Sequence, residues 1–398
     1  MVMSSDHKWH ELTLNDVCSK ITDGAHLSPK SVETGLQMAS VKDLTPFGIN
    51  LDSCRQISKE DFDKLTRQGC QPIAGDVLIA KDGASALDTV CVMKRTLDVV
   101  LLSSVAILRP DKAQILPSFL RYYLDSETTR SYMKSAFTTG AAIPRVVLKD
   151  FKLARIKLPP LPTQRKIAAI LSAYDDLIEN NTRRIQILEE MAQVLYREWF
   201  VNFRYPGHEK VQMEESELGP KPEGWEVSRL DDALVLQRGF DLPKKKRHDG
   251  EIPIYASTGI VGTHDEAKVK GPGVVTGRSG SLGTVLYIDE DFWPLNTTLW
   301  VKKFRRVTPI YAFYLLNNLD LRAFNSGAAV PTLNRNDVHG LPVILPPNEV
   351  LVQFDHHVTS LFAMNRNLIK RSLVLSRTRD LLLPKLISGE IDLSKLRS

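Results

Sequence analysis

The chain has few cysteines: four in 398 residues, namely Cys18, Cys54, Cys70 and Cys91. All four lie in the first quarter of the chain, and no two have the CxxC spacing that is typical of zinc sites and redox motifs. Neither a disulfide framework nor a cysteine-bound zinc ion is therefore expected. We expect free thiols in a reducing compartment, which favours a cytoplasmic location.

Long apolar runs are also missing. The most apolar stretch, residues 99–108, is about half as long as a membrane-spanning helix, which needs ~20 residues. Residues 1–8 lack the apolar core of a signal peptide. Hydrophobic residues make up 43% of the chain and charged residues 25%, which are ordinary values for a globular protein. We therefore expect a soluble protein of two or three domains that makes no membrane contact.

Motifs for catalysis and cofactor binding are missing as well. The sequence has no glycine-lysine-serine/threonine loop for ATP phosphates. The proline pairs 159–160 and 346–347 lack the flanking residues of an adenine methyltransferase motif, and the glycine-rich segment 271–277 lacks the third glycine of a dinucleotide loop. The adjacent histidines 356–357 would point in different directions on a helix. We predict a non-catalytic chain that binds no cofactor and no metal ion.

The charge balance is mildly basic, with a formal net charge of +5 and an isoelectric point near 8.8. Such a balance permits nucleic-acid binding without demanding it. The charge alone therefore leaves the class of partner open.

What the sequence does contain is an internal repeat. The segment Phe137–Pro144 recurs as Phe324–Pro331, and at the same offset Asp150 falls on Asp337. Upstream, Val77–Gly83 resembles Val274–Gly280 with a small change in offset. The period is too long for a solenoid repeat, so we infer two diverged copies of a whole domain.

Each copy is predicted to begin with short strands and to continue with a helix. The β-branched and apolar segments bounded by turn residues predict strands over 76–80, 89–93 and 101–108, and over 273–276, 284–288 and 298–301. The helices are predicted over Pro117–Leu124, with an extension to Phe137 left open, and over Pro309–Phe324.

A long helix is predicted after the first copy, because residues 163–203 contain neither glycine nor proline. Its apolar positions recur in steps of four and three, which is a heptad pattern and favours a coiled coil over an ordinary core helix. This first seam, with one asparagine in its middle, consists of Ile167, Leu171, Tyr174, Ile178, Asn181, Ile185, Leu188, Ala192, Leu195 and Trp199.

The second copy repeats the seam less regularly. Its apolar positions are Phe354, Val358, Leu361, Leu368, Leu375, Leu382 and Leu386, and polar Asn365, Ser372 and Arg379 interrupt them. We expect the two long helices to pair with each other, antiparallel, if the copies are related by a pseudo-twofold axis. The expected fold is therefore α+β: two β-rich domains, each followed by a long helix, with the helices forming an antiparallel coiled coil.

The predicted boundaries follow from these patterns. They place the β-rich domains at 1–160 and 225–347 and the helical regions at 161–203 and 348–398. Residues 204–224 form a linker whose prolines and glycines disfavour helix and strand alike.

Four segments carry a resemblance to a known family. Residues 161–168 read LPTQRKIA, 196–203 read YREWFVNF, 216–225 read SELGPKPEGW and 379–391 read RDLLLPKLISGEI. In this order they resemble the two conserved helices and the central junction of the specificity subunits of type I restriction–modification enzymes. The resemblance covers the whole architecture, but it says nothing about which bases are read.

The resemblance implies a function. Each β-rich target recognition domain would read one half of a bipartite, asymmetric site in double-stranded DNA, and the helices would set the spacing between the halves. Two DNA adenine methyltransferase (modification) subunits and restriction–translocation subunits would bind along the helices. S-adenosylmethionine, and ATP with magnesium, would be used by those partners. Rival interpretations are a stand-alone DNA-binding regulator, a degenerate fused methyltransferase and a purely structural coiled-coil scaffold.

Residues that contact DNA are expected in turns between the predicted strands. The candidates are Thr22, Asp23, His26, Lys81, Thr138, Thr139 and Arg145 in the first copy, and Arg238, Phe240, Lys244, Lys245, Lys246, Arg278, Ser279 and Asn325 in the second.

Specific roles can be suggested for some of these candidates. Arg278, among glycines, suits a bidentate contact with guanine, although a solvated turn arginine is an equal alternative. The lysine run 244–246 suits phosphate contact in competition with simple solvation. The turns at 138–140 and 325–327 could donate backbone N–H groups to phosphate or could simply end a helix.

Overall fold

A computed structural model describes residues 9–137, 145–327 and 329–393. They form two compact units: residues 9–183 together with 369–393, and Arg184–Leu368. Each unit holds one β-rich domain and one half of each of two long helices. Among the described residues, none of the helices has the length and hydropathy needed to cross a membrane.

The first unit contains eleven strands among its described residues. They are β1 (His10–Thr13), β2 (Cys18–Asp23), β3 (Leu36–Ala39), β4 (Leu44–Thr45), β5 (Gly48–Ile49), β6 (Arg55–Ile57), β7 (Val77–Ala80), β8 (Val90–Val92), β9 (Val99–Leu101), β10 (Val105–Pro110) and β11 (Arg155–Leu158). Its helices are α1 (Leu14–Val17), α2 (Lys59–Arg67), α3 (Pro117–Asp125), α4 (Glu127–Phe137), α5 (Leu148–Leu153), the first half of α6 (Leu161–Phe200) and the second half of α10 (Asn348–Ser388).

The centre of the first unit is a four-stranded antiparallel sheet in the order β2-β10-β7-β8. Side chains alternate across a strand, so β7 faces two cores: Val77 and Ile79 pack with Phe119 of α3, whereas Leu78 and Ala80 pack on the opposite face. A second sheet, β6-β3-β9, includes one parallel pair, and β1 pairs with β11. Because β7 is buried on both of its faces, all of its residues are apolar.

The second unit contains a further set of eleven strands. They are β12 (Met213–Glu214), β13 (Lys221–Pro222), β14 (Glu226–Arg229), β15 (Leu234–Arg238), β16 (Ile252–Ala256), β17 (Gly259–His264), β18 (Gly273–Gly277), β19 (Val285–Ile288), β20 (Trp293–Pro294), β21 (Thr298–Phe304) and β22 (Pro342–Leu345). Its helices are the second half of α6, α7 (Leu230–Ala233), α8 (Pro309–Asn318), α9 (Arg335–His339) and the first part of α10 (Asn348–Ser388).

The topology of the second unit repeats that of the first. Its central sheet has the order β15-β21-β18-β19, a second sheet has the order β17-β16-β20, and β14 pairs with β22. The pair between β16 and β20 is parallel, as is the equivalent pair between β3 and β9. The predicted duplication of an α+β domain is therefore confirmed.

The long helices run antiparallel within each unit. In the first unit Asp175 contacts Arg379, and the amide of Asn181 donates to the hydroxyl of Ser372 at 3.2 Å. In the second unit Asn365 donates to Glu189 at 3.1 Å. From one pair to the next, the residue number increases on α6 and decreases on α10. The two helices are therefore antiparallel, as the sequence predicts.

The seam residues are buried to different degrees. Ile167, Leu171, Ile178, Asn181, Leu188, Trp199, Val358 and Leu368 are buried, whereas Tyr174, Ile185, Leu195, Leu361, Leu375 and Leu382 are half-buried. Asp175, beside the seam, is also buried.

The helix predicted over Pro117–Leu124 is confirmed as α3. The extension to Phe137 that the sequence left open is a separate helix, because the hydroxyl of Ser126 bonds to the Tyr123 carbonyl and accepts from the N–H of Thr129, which caps α4. The helix predicted to reach Phe324 ends at Asn318, and the chain then turns so that Leu321 is buried.

Two further predictions need correction. The strand predicted over 101–108 is split, because a turn closed by the bond from Val105 N–H to the Leu102 carbonyl separates β9 from β10. The linker 204–224 contains the paired strands β12 and β13, although its composition disfavours strands. There the ammonium group of Lys221 donates to the Trp225 carbonyl at 2.6 Å, which fixes the turn.

Candidate nucleic-acid interface

Three segments of the first unit meet at one end of its central sheet. The turn after β2 is joined to the segment 101–105 by bonds from Gly24 N–H to the Val105 carbonyl and from Ala25 N–H to the Leu101 carbonyl. The turn after β7 is joined to the same segment, because Lys81 N–H donates to the Ser104 carbonyl at 2.9 Å. The structure therefore brings together two turns that the sequence predicts separately.

Glycine is required where the first of these turns packs on its neighbour. A Cβ atom at Gly24 would lie 2.1 Å from the carbonyl oxygen of Leu101. At the equivalent Gly239 of the second unit, a Cβ atom would lie 2.2 Å from the carbonyl oxygen of Leu295. The same close approach holds the equivalent turn in both units.

Two charged candidates of the first unit are buried. Lys81 and Asp23 are 1% and 8% exposed, and the lysine ammonium lies 3.3 Å from the Asp23 carboxylate and 3.5 Å from Asp82. Contact of Lys81 and Asp23 with DNA stays a prediction. In the structure their side chains pair with each other and hold the turns together, because an unpaired buried charge is costly.

The remaining candidates of the first unit lie nearer the surface. The ring of His26 is exposed, and its Nε2 atom lies 3.2 Å from an oxygen of Asp23. Arg145 is exposed and contacts the carboxylate of Asp82 at 3.2 Å. Thr22 is half-buried within β2, and Thr138 and Thr139 lie outside the described residues.

The second unit places two arginines at its equivalent turns. Arg278 donates from Nε to the carbonyl of Asn296 at 2.8 Å. Arg238 is exposed and lies 3.7 Å from the carboxylate of Asp241, which Asn296 also contacts. Burial, together with the positive charge of Arg238, lowers the pKa of Arg278, and Asp241 offsets part of this effect. Two cations beside one carboxylate leave an excess of positive charge at this point.

The other candidates of the second unit have mixed surroundings. The N–H of Ser279 donates to the Thr297 carbonyl at 3.1 Å. Phe240 is half-buried and packs against Trp293 and Trp300, so its ring contributes to the core, and its contact with DNA stays a prediction. Asn325 accepts from the N–H groups of Gly327 and Thr332, which favours the internal-turn interpretation.

The lysine run is an exposed basic segment of the second unit. Lys244–Lys246 form one short 3-10 turn with all three side chains exposed. The turn is fastened by Arg247, which donates to the carbonyls of Leu242 and Val261. Exposed lysine side chains are suited to contact with phosphates. Nothing in this arrangement fixes their orientation relative to a base.

One group of possible metal ligands occurs among the described residues. Atoms of His248, His264 and Asp265 lie within 4.8 Å of one another. The Nδ1 atom of His264 already accepts a bond from the N–H of His248 at 3.1 Å, so its lone pair is engaged. The donor set of this trio therefore fits a metal ion poorly.

Sequence reasoning missed two features. Leu27, next to His26, is 85% exposed, and the only sequence signal for it is an apolar residue inside a polar turn. Arg379 interrupts the second seam, and its partner Asp175 lies beside the first seam. The sequence signal for this ion pair is that an acidic and a basic residue lie at facing positions of the two antiparallel helices.

Comparisons with known proteins agree with the architecture. Residues 7–190 and 222–360 match the family described as type I restriction modification DNA specificity domain. The MjaIX specificity subunit of Methanocaldococcus jannaschii is 28% identical over 309 residues, which cover 72% of this chain and 71% of that protein. The HindI specificity subunit of Haemophilus influenzae is 23% identical over 376 residues, covering 73% and 81%.

A solved structure shows the same fold. The crystal structure of the type I restriction-modification S subunit from M. genitalium matches with a TM-score of 0.61 at 16% identity, covering 97% of this chain and 98% of that chain. The family match extends over both β-rich domains, most of α6 and the beginning of α10. The chain therefore belongs to the type I restriction modification DNA specificity family, the non-catalytic subunits that give these enzymes their DNA sequence specificity.

Proposed function

We propose that each β-rich domain reads one half of a bipartite, asymmetric site in double-stranded DNA. The observation that carries this proposal is the repeated topology with different side chains at equivalent turns. Asp23 and Lys81 of the first unit correspond to Arg238 and Arg278 of the second. Two domains of one fold with different polar groups would recognise two different sequences, so the site is not a palindrome.

The DNA-facing residues of the proposal lie at the turns and are exposed or half-buried. The exposed ones are His26 and Arg145 in the first unit, and Arg238 and the run Lys244–Lys246 in the second; Arg278 is half-buried. The arginines are suited to the O6 and N7 acceptors of guanine, and the lysines to phosphates. The excess of positive charge beside Asp241 supports the assignment of the arginines.

The long helices would set the distance between the half-sites. α6 has 40 residues and α10 has 41, so at ~1.5 Å per residue each is ~60 Å long. Such lengths exceed what a compact domain requires. A stiff antiparallel pair would fix the number of unread base pairs in the middle of the site.

The helices also carry an exposed apolar patch in each unit, which we call the helix patch. In the second unit it consists of Ile187, Val194 and Met364, which are 54%, 55% and 46% exposed. In the first unit the repeat-related Val374, Leu381 and Leu177 are 63%, 70% and 54% exposed. Ile187 and Val194, like Val374 and Leu381, are seven residues apart, so each pair lies on one helix face outside the seam.

We assign the two helix patches to two DNA adenine methyltransferase subunits. Exposed apolar strips of this kind mark protein-binding surfaces, and two copies of one patch fit two copies of one partner. Restriction–translocation subunits would join the same assembly. In this proposal the chain works in the cytoplasm and binds no cofactor; S-adenosylmethionine would be used by the modification subunits, and ATP with magnesium by the restriction subunits.

The experiment that tests the proposal is co-expression of the chain with the modification subunit of its own system, followed by genome-wide mapping of methylated adenine. We expect a single bipartite motif with two different half-sites and a fixed gap. Failure of the pair to co-purify would support a stand-alone regulator, and methylation by the isolated chain would support a fused methyltransferase.

The stoichiometry can be tested in the same system. Changing Ile187 and Val194 together to glutamate should leave one modification subunit bound per chain, as measured by native mass spectrometry. Gln186→Glu is the matched control, because Gln186 is exposed on the same helix but lies outside the patch. Two bound partners in the patch variant would contradict the assignment.

A further inference from the structure

The two units carry different charged residues at the equivalent turns of their central sheets. In the second unit Arg238 and Arg278 are both cationic, and among the described residues neither has a carboxylate oxygen closer than 3.7 Å. In the first unit the equivalent Asp23 and Lys81 form a buried ion pair, so this position has no excess charge to offer a base. The first unit must therefore read DNA with other groups at this point.

The buried pair leaves one group exposed in a defined orientation. One oxygen of Asp23 lies 3.3 Å from the Lys81 ammonium, and the other lies 3.2 Å from Nε2 of His26. A carboxylate accepts hydrogen bonds, so Asp23 favours the tautomer of the His26 ring that carries its proton on Nε2. The Nδ1 atom of that ring then carries a lone pair, and no hydrogen bond joins it to another described residue.

An apolar side chain stands beside this acceptor. Leu27 is 85% exposed, whereas the equivalent Leu242 of the second unit is 8% exposed and packs in a core cluster. The turn that carries His26 and Leu27 is held in place by the close packing of Gly24 on Leu101. An acceptor and an apolar group are thus presented side by side on a rigid turn.

We propose that His26 and Leu27 read an A·T base pair in the major groove of the half-site that the first unit recognises. An A·T pair presents the N6 amino donor of adenine and the methyl group of thymine on one edge. A C·G pair presents the N4 amino donor of cytosine without a methyl group. His26 accepts from the amino group, Leu27 contacts the methyl group, and Asp23 and Lys81 are positioning residues.

This inference rests on the proposed function, since it assigns a base pair within a half-site. Its test uses the full chain in complex with its modification subunit and duplexes that carry the mapped site. His26→Ala should lower the preference for A·T at one pair of the first half-site roughly tenfold and leave the second half-site unchanged. His10→Ala is the matched control, because His10 is an exposed histidine of the same unit.

The methyl contact is tested by replacing thymine with uracil at that pair. The replacement should weaken binding of the wild-type chain several-fold and have no further effect on Leu27→Ala. Asp23→Asn, which removes the charge that fixes the ring proton, should reduce the A·T preference at the same pair, whereas a merely structural role would weaken binding to all sequences equally.

The outcomes separate this inference from the proposed function. If His26→Ala keeps the wild-type preference at every pair of the first half-site, or if uracil weakens wild type and Leu27→Ala equally, the assignment of these residues is wrong while bipartite reading stands. If the wild-type complex has no preference anywhere in that half-site, the proposed function itself fails.

Discussion

The buried carboxylate of Asp175 should be worth several kcal/mol to the first unit. It accepts from Arg121 at 2.5 Å, from the hydroxyl of Tyr122 at 2.7 Å and from Arg379 at 2.6 Å. Arg121 and Tyr122 lie on α3 of the β-rich domain, whereas Arg379 lies on α10. The carboxylate therefore ties three helices of one unit together.

Removing this charge leaves a buried arginine without its closest partner. The side chain of Arg121 is 5% exposed, so Asp175→Asn should destabilise the unit by about 3 kcal/mol. Arg379→Met should cost less, about 1–2 kcal/mol, because Asp175 keeps its bonds to Arg121 and Tyr122. The double variant should show a coupling of about 1–2 kcal/mol, since the two residues share one hydrogen bond.

The measurement is urea unfolding followed by hydrogen exchange of peptides from residues 161–183. Asp176→Asn is the matched control, because Asp176 is the next residue on α6 and its side chain is 70% exposed. We expect that control to change stability by less than ~0.5 kcal/mol. A cost below ~1 kcal/mol for Asp175→Asn, or a coupling near zero, would refute the reasoning.

The same network predicts a dependence on pH. Burial alone would raise the pKa of Asp175, but the charge of Arg121 and the hydrogen bonds from Tyr122 and Arg379 outweigh it and hold the pKa below its ordinary value. A carboxyl group with a depressed folded-state pKa stabilises the protein above its unfolded pKa, and that stability is lost as the pH falls through the folded value. The difference between wild type and Asp175→Asn should therefore be constant above about pH 5 and shrink below about pH 4.

Three further predictions concern DNA. Arg278→Ala should weaken specific binding by ~1–3 kcal/mol and relax only the second half-site, as read by methylation mapping; unchanged preference would show that this turn does not read bases. Neutralising Lys244–Lys246 to glutamine should weaken binding to all sequences and reduce the salt slope by up to about 3, which titration at several salt concentrations measures; an unchanged slope would place these lysines away from phosphate. Adding one heptad after Leu188, and one opposite it near Asn365, should lengthen the unread gap by about three base pairs, because seven residues add ~10 Å and B-DNA rises ~3.4 Å per pair; an unchanged gap in an active variant would mean that the helices do not set the spacing.

Much of the fold could be predicted because it depends on repeated apolar patterns. The strand Val77–Ala80 and its counterpart Gly273–Gly277 are continuously apolar or small, and the first long helix has an almost unbroken seam. Such patterns arise because buried positions hold apolar residues, so burial can be inferred from the sequence itself. The heptad spacing also gave the pairing of the helices, since both long helices carry an apolar seam of the same period.

The ends of elements and the roles of charged residues could not be predicted in the same way. The break at Ser126 depends on a hydroxyl that bonds backbone groups on both sides, and propensity alone does not show this choice. The sequence likewise treats Lys81 as a turn residue open to solvent. Its burial depends on Asp23, which lies 58 residues earlier in the chain and meets it only through the sheet.

A comparison of the two repeats shows which positions keep their residues and which change. Where the first unit has Asp175 bonded to Arg121 and Tyr122, the repeat-related Phe362 of the second unit packs on Phe313 and Tyr314.

A polar network and an aromatic cluster thus fill the same place in the same architecture, so this position tolerates a change of chemistry as long as its groups are paired or packed. The turns behave differently from this position. Glycine is present in both turns, as Gly24 and Gly239, whereas the residue before it is acidic in the first unit and basic in the second. Since the backbone of the turn is fixed and only its side chains vary, a new half-site could be read without any change in the helices that hold the two domains.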